Sequence, residues 1–405
     1  MLESKQTATL PSGFQTSGTT CGIKASGKPD LALFVSDTPA VSAGVFTTNR
    51  VVGAPVTICK ERVPASSIRA VIINSGNANA CTGNQGLDDA RAMTARVAEA
   101  LGCNAEDILV CSTGIIGVNL PMDVITAGIP KAVDALAPSD DAFKAAATAM
   151  MTTDTFAKQF TASVGMSSGA VKIAGVAKGA AMIAPNMATM LSVIMTDAAL
   201  TAEQCDDLLK HCVERTFNSI SVDGHMSTSD TVLLLANGAA DAAPADDNDF
   251  QTLRDGLQQV CEELATSIIR DAEGADHFIT IDVEGFETRD AAFKVAKEIA
   301  ESALVKTAIT GNDPNWGRIT SAAGYAGIDF DTVHLSLTIN NTVVFKDGAP
   351  ANFDEAELSA QMKSERDVYL RLVLSGGPAS GKESVCFWTS DLTQEYVRLN
   401  SDYTT

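Results

Sequence analysis

Histidine is scarce in this chain: four residues in 405, namely His211, His225, His277 and His334, and no G-x-S-x-G segment accompanies them. A Ser-His-Asp hydrolase is therefore hard to build. His211 falls on a helical pattern and His334 on a strand pattern, positions where an imidazole more often satisfies a local hydrogen bond than serves as a base. Basic residues are also short, with 29 Lys+Arg against 50 Asp+Glu and a net charge of −21 at pH 7. No stretch clusters Lys and Arg as a phosphate-tracking surface would, so nucleic acid is not an expected partner. The nine cysteines contain no C-x-x-C pair, which argues against a zinc site and a disulfide framework and leaves small buried hydrophobes in a reducing compartment. Long apolar runs are missing too. The longest, from Ile173 to Leu200, is interrupted by Lys178, Pro185, Asn186 and Asp197, so no transmembrane helix and no membrane partner are expected. The start, MLESKQTATLPSGFQ, has neither a basic n-region nor an apolar h-region, which predicts a cytoplasmic protein.

What is present is ordinary globular composition, 45% hydrophobic and 20% charged, in a chain long enough for two or three packed lobes. Short apolar runs bounded by Gly, Pro and Asn predict strands at Leu31 to Val35, Ala43 to Thr47, Ala70 to Asn74 and Ile108 to Ser112. Helical spacing follows Asp89 and covers Ser139 to Met151, then Thr201 to Phe217, Asp249 to Ala272 and Arg289 to Ala308. Strands return at Val333 to Ile339, Thr342 to Phe345, Val368 to Ser375 and Ser384 to Thr389, with turns at Asn340-Asn341 and Gly376-Gly377. The small acidic stretch from Ala236 to Asp249 reads as an exposed loop. No internal repeat is present.

Two segments invite a chemical reading. Gly376 to Lys382 (GGPASGK) satisfies G-x-x-x-x-G-K, but Glu383 stands where a P-loop needs Ser or Thr, and a strand follows where a helix is required; a hairpin turn is the better account. Lys178 to Leu191 (KGAAMIAPNMATML) is more informative, because Pro185 and Asn186 break an apolar run just before Thr189. A tight turn in front of a hydroxyl can present a nucleophile, and the same residues also fit a buried strand with a proline bulge.

KGAAMIAPNMATML resembles the signature of the ornithine acetyltransferase (glutamate N-acetyltransferase) family, which cleaves itself before the Thr of Met-Ala-Thr-Met-Leu. Other segments resemble the same family in the same order: NSGNAN from Asn74, CSTGIIG from Cys111, TTDT from Thr152, RDAEGA from Arg270, GNDPNWGR from Gly311, and Asn400 near the C-terminal Thr405. The resemblance spans almost the whole chain. One departure is His225 in VDGHMSTSD, where an acidic or small residue is expected.

The resemblance implies an α/β N-terminal-nucleophile fold, two sheets in a sandwich with flanking helices, self-cleaved between Ala188 and Thr189 into an α chain (1–188) and a β chain (189–405). It implies that Thr189 is the nucleophile and that Thr113 and Gly114 form the oxyanion hole. Substrate contacts would fall on Thr152, Lys178, Thr189, Glu273, Asn400 and Thr405. The implied reaction is ping-pong: Thr189 takes acetyl from N2-acetylornithine and passes it to glutamate, with no cofactor or metal, acetyl-CoA being a potential co-substrate. Cleaved pairs would assemble as a heterotetramer. A threonine hydroxyl needs a base within hydrogen-bond reach, and the α-amine freed by cleavage, with an ordinary pKa of about 7.7–8.0, supplies one without histidine. The alternatives are an N-terminal-nucleophile aminopeptidase or amidase that gives its acyl group to water, and a non-catalytic metabolite-binding relative.

Overall fold

The computed structural model describes residues 8–184 and 190–402, and in it the apolar runs of the first half become one eight-stranded mixed sheet. Its strands are β1 (Phe14–Thr19), β2 (Leu31–Phe46), β3 (Ala65–Asn77), β4 (Ile108–Ile115), β5 (Lys158–Met166), β6 (Gly169–Lys178) and β7 (Leu191–Thr196), joined after the short β8 (Ile220–Ser221) by β9 (Thr231–Ala236). The spatial order is β4-β3-β2-β9-β7-β6-β5, with β1 against the first half of β2 and β9 against the second. The two runs expected at Leu31 to Val35 and Ala43 to Thr47 are thus one long strand, broken in register around the exposed Asp37-Thr38-Pro39.

Both faces of this sheet are buried, which explains why its central strands read as continuous apolar runs. Along β7, Val193 and Met195 enter one core and Ile194 the other, the period of two that a strand imposes. The first core takes α1 (Ala54–Arg62), α2 (Gly83–Leu101), α3 (Met122–Asp134) and α4 (Asp140–Met150). The opposite core takes α5 (Ala202–Arg215) and the long α6 (Asp247–Arg270). Ser139, Thr201 and Asp246 cap α4, α5 and α6 through side-chain oxygens; the first two fix expected helix starts, while Asp246 starts α6 two residues ahead of the expected Asp249.

The second sheet has seven strands: β8, β10 (Phe278–Phe286), β11 (Leu335–Ile339), β12 (Thr342–Lys346), β13 (Ala349–Pro350), β14 (Asp367–Leu374) and β15 (Ser380–Ser390), in the order β13-β12-β11-β14-β10-β15-β8. Its core holds α7 (Arg289–Glu301), α8 (Ala303–Thr310), α9 (Trp316–Gly324) and α10 (Glu355–Ser364). Phe278 and Trp388 cross to the α5–α6 core and tie the two sheets together. The architecture is the helix-flanked, two-sheet α/β fold that the resemblance implies.

Three local expectations change. The single helix over 289–308 is two, because Ser302 leaves helical geometry and its hydroxyl accepts from Val305 N–H at the start of α8. His334 lies in a 3₁₀ turn before β11 rather than on the strand. The Gly376-Gly377 turn does not make a hairpin: β14 and β15 lie on opposite sides of β10, and the turn carries the chain across it.

Candidate active site

The ends of β4 and β6 and the segment leading into β9 surround a cavity of about 450 Å³. Six of the residues singled out from sequence line it together: Thr113, Gly114, Thr152, Lys178, Glu273 and Asn400. Ala188, Thr189 and Thr405 lie outside the described residues. Met190, the residue after Thr189, is buried one position before β7.

Thr113 and Gly114 close β4, where its pairing with β3 becomes irregular. Gly114 has φ +133°, and a Cβ there would stand 2.3 Å from the carbonyl carbon of Gly76 and 2.5 Å from the nitrogen of Asn77. Only glycine fits. The NSGNAN segment holds this corner: Ser112 Oγ donates to Asn74 Oδ1 at 2.5 Å, Asn74 Nδ2 donates to Asn77 O at 2.9 Å, and Asn77 Nδ2 donates to Val118 O at 3.0 Å. Two segments matched separately in sequence are thus one structural unit.

Lys178, at the end of β6, is wholly buried and donates to Thr113 Oγ1 at 3.2 Å. Desolvation lowers its pKa, and Asp154 works against that shift. Asp154 is itself buried, yet Lys178, Lys158 and the Gly179 N–H overcome the burial and bring its carboxyl to about 2. It accepts from Lys158 Nζ at 2.7 Å, Gly179 N–H at 2.7 Å and Thr152 N–H at 2.9 Å. Lys158 also reaches Asp271 at 2.6 Å, and Asp271 in turn accepts Thr155 N–H at 3.0 Å from the C-terminus of α6. This Asp154–Lys158–Asp271 cluster clamps the TTDT loop to the RDAEGA segment beneath the cavity.

Two carboxylates also line the cavity. Glu273 accepts from Asn400 Nδ2 at 3.0 Å, and Asp223 accepts from Met182 N–H at 2.7 Å, Ile183 N–H at 3.0 Å and the Tyr396 hydroxyl at 3.0 Å. Gly274, at φ +65°, lets α11 (Gln394–Asp402) approach: a Cβ there would sit 2.5 Å from Tyr396 N. Burial and Asp223 raise the Tyr396 pKa, so its phenol stays a donor. The cavity therefore presents a buried cation beside Thr113 together with two carboxylates, a charge set that suits a zwitterionic amino acid.

Asp223, Tyr396 and Ser227 to Ser229 line the cavity with no signal in the sequence that marks them, and His225 of VDGHMSTSD lines it too; Asp154 is not among the lining residues and acts on the site through Thr152 and Gly179. GNDPNWGR is not among the lining residues; Asn315 caps α9 and Trp316 stacks on Phe345 at 5.4 Å, a structural role in the second sheet. Among the described residues no group of three or more His, Cys, Asp or Glu is arranged to hold a metal, and no helix is long and apolar enough to cross a membrane.

The ArgJ family model matches residues 15–405. The arginine biosynthesis bifunctional protein ArgJ of Rhodopirellula baltica is 46% identical over 399 residues, covering 98% of this chain and 96% of its own. That of Parasynechococcus marenigrum is 44% identical, covering 98% and 95%. A crystal structure of arginine biosynthesis bifunctional protein ArgJ from Bacillus halodurans is 37% identical and covers 51% of this chain and 96% of its own, with a TM-score of 0.49. Matched from residue 15 to its end and by relatives of nearly its own length, the chain belongs to the ArgJ family.

Proposed function

We propose that this chain cuts itself between Ala188 and Thr189, giving chains 1–188 and 189–405, and that Thr189 then carries the acetyl group. The reaction class follows from the family: the chain is a glutamate N-acetyltransferase of arginine biosynthesis, moving acetyl from N2-acetylornithine to glutamate. In our reading the Thr189 α-amine takes the hydroxyl proton, and the Thr189 oxygen attacks the acetyl carbonyl. Thr113 and Gly114 receive the developing oxyanion, a contribution whose loss typically costs about 10²–10³ in rate. Ornithine leaves, glutamate enters, and the acetyl passes to its amine.

The observation that carries this reading is the convergence of Thr113, Gly114, Thr152, Lys178, Glu273 and Asn400, from segments far apart in sequence, on one cavity. Lys178 meets a substrate carboxylate and Glu273 the side-chain ammonium; Thr152 and Thr405 contribute neutral contacts. Acetyl-CoA serves as a second acetyl donor, cleaved pairs assemble as a heterotetramer, and the enzyme works in the cytoplasm.

Intact mass under denaturing conditions tests the nucleophile. The wild type should give two fragments meeting between Ala188 and Thr189, and Thr189→Ala one chain of 42.1 kDa. One uncut, inactive chain in both would overturn the mechanism in favour of a binding protein. Acetate released from N-acetylornithine without glutamate would identify an amidase instead.

A further inference from the structure

The two chain segments that bring Glu273, Tyr396 and Asn400 to the cavity are fastened together by one buried imidazole. His277 lies just ahead of β10, and Asp391 lies between β15 and α11. Their side chains are 7% and 0% exposed, and neither residue lines the cavity. Asp391 Oδ1 accepts the backbone N–H groups of Asp276 and His277 at 3.0 and 3.1 Å, and its Oδ2 faces His277 Nδ1 at 2.9 Å. The other ring nitrogen, Nε2, faces the Met362 carbonyl of α10 at 3.2 Å. A carboxylate and a carbonyl are acceptors only, whereas a neutral imidazole carries one N–H, so it can serve one of them and must turn a lone pair on the other. The imidazolium serves both. Further along, the Thr393 hydroxyl donates to Gly274 O at 2.5 Å and accepts Tyr396 N–H at 3.1 Å. The two segments are thus joined by His277 with Asp391, by Thr393 with Gly274, and, at the cavity itself, by Glu273 with Asn400 at 3.0 Å.

Resting on the reading that Glu273 meets the substrate ammonium, we propose that His277 is a positioning residue held as an imidazolium, a latch that keeps α11 on the Glu273 segment and tightens binding of N2-acetylornithine until rising pH removes its charge. The Asp391 hydrogen bond acts most strongly on the ring; together with the Asp391 charge, the Met362 carbonyl and Asp276 it lifts the pKa above the ordinary 6.5, against the pull of burial. With a raised pKa, the latch is whole below 6.5 and is lost as pH climbs through the folded value. Asp391 faces the ring from beyond β15 and Asp276 from its own segment, while α10 offers the Met362 carbonyl and α8 the Thr310 hydroxyl, 3.2 Å from Asp391 Oδ2. A second cation at this junction is Lys306 of α8, buried, which donates to Thr389 Oγ1 at 2.7 Å and to Ser390 O. Burial lowers its pKa to about 8 against Asp391, Asp223 and Glu301, so Lys306 also changes charge at alkaline pH, and the two groups must be separated.

Long-range 1H–15N spectra of protein labelled in histidine tell imidazolium from imidazole, and His277→Gln identifies the His277 signals among the four histidines. In the wild type the ring should titrate with a midpoint above 6.5. The KM for N2-acetylornithine, followed from pH 6 to pH 9.5, should rise about fivefold or more across that titration, the lower end of coupling between separate sites, with a smaller change in kcat. H277Q, neutral throughout, should show the raised KM already at pH 6. His277→Lys, whose ammonium has an ordinary pKa of about 10.4, should restore the low KM and flatten the profile. A ring that titrates at or below 6.5, or an H277K profile that climbs as the wild type does, overturns the latch, and the second result passes the slope to Lys306. Where H277Q fails to fold, H277K makes the same assignment. Glu273→Gln tests the underlying reading separately: an unchanged KM in E273Q overturns Glu273 as the partner of the ammonium, and the histidine spectrum still decides the charge of His277.

Discussion

Replacing Lys158 by Met should destabilise the protein far more at pH 8 than at pH 5. Lys158 is fully buried and holds Asp154 at 2.7 Å and Asp271 at 2.6 Å, with those side chains 0% and 2% exposed. Removing the ammonium leaves two buried carboxylates about 5 Å apart, whose mutual repulsion at an effective dielectric of about 20 is about 3 kcal/mol. Breaking a buried pair from one side costs about 3–5 kcal/mol by experience, which agrees. At pH 5 one carboxyl of the variant takes up a proton and the repulsion is relieved. In the wild type the sign is opposite. Asp154 sits at about 2, depressed below its ordinary 3.8, so its contribution of about 2 kcal/mol is present at neutral pH and is lost only as pH falls from about 4 through 2. Thermal melts of both proteins at pH 5 and pH 8 make the comparison, and the variant should lose at least about 5 °C at pH 8. Equal losses at both pH values, or a pH 8 melt within about 1 °C of wild type, would refute the idea that this cluster is an ionised clamp.

Gly114→Ala should lower kcat by about 10²–10³ with a smaller change in KM, because the added methyl meets Gly76 and Asn77 and shifts the corner proposed to hold the oxyanion rather than the proposed substrate contacts; steady-state kinetics separate the two, and an unchanged kcat would remove Gly114 from the chemistry. Lys178→Ala should raise the KM for N-acetylornithine about tenfold or more, and an unchanged KM would break its assignment to a carboxylate.

Segments were legible in the sequence where chemistry constrains them locally. Gly114 is set by a positive φ and by a neighbouring backbone that an added Cβ would meet at 2.3 Å, and helix starts by capping residues such as Thr201. Partnerships across the chain were not. Asp271 bonds Lys158 over 113 residues and Tyr396 bonds Asp223 over 173, so nothing near either residue announces the other. Asp230 in MSTSD reads as one more polar residue in a loop until β7 and β9 set it against Met190. The β5–β6 hairpin escaped notice because β5, at the sheet edge, is only partly buried and lacks a clean apolar run. Helix 289–308 was misread because its apolar spacing continues through Ser302, while the cap that divides it depends on a single hydroxyl.

The proposed cut falls between β6 and β7, neighbours paired over six positions from Ile173↔Thr196 to Lys178↔Leu191, and β2 and β9 add six more pairs across the same divide. Neither product owns the whole eight-stranded sheet, whereas the seven-stranded sheet falls entirely in the second. If the chain is cut there, folding comes before scission, because the eight-stranded sheet pairs strands from both sides of the divide. Two half-length genes would release polypeptides with raw strand edges, prone to pair with the wrong neighbour before finding the right one. On the proposed cleavage, the undivided gene would work as a tether that enforces one-to-one stoichiometry, expendable once the sheet has closed.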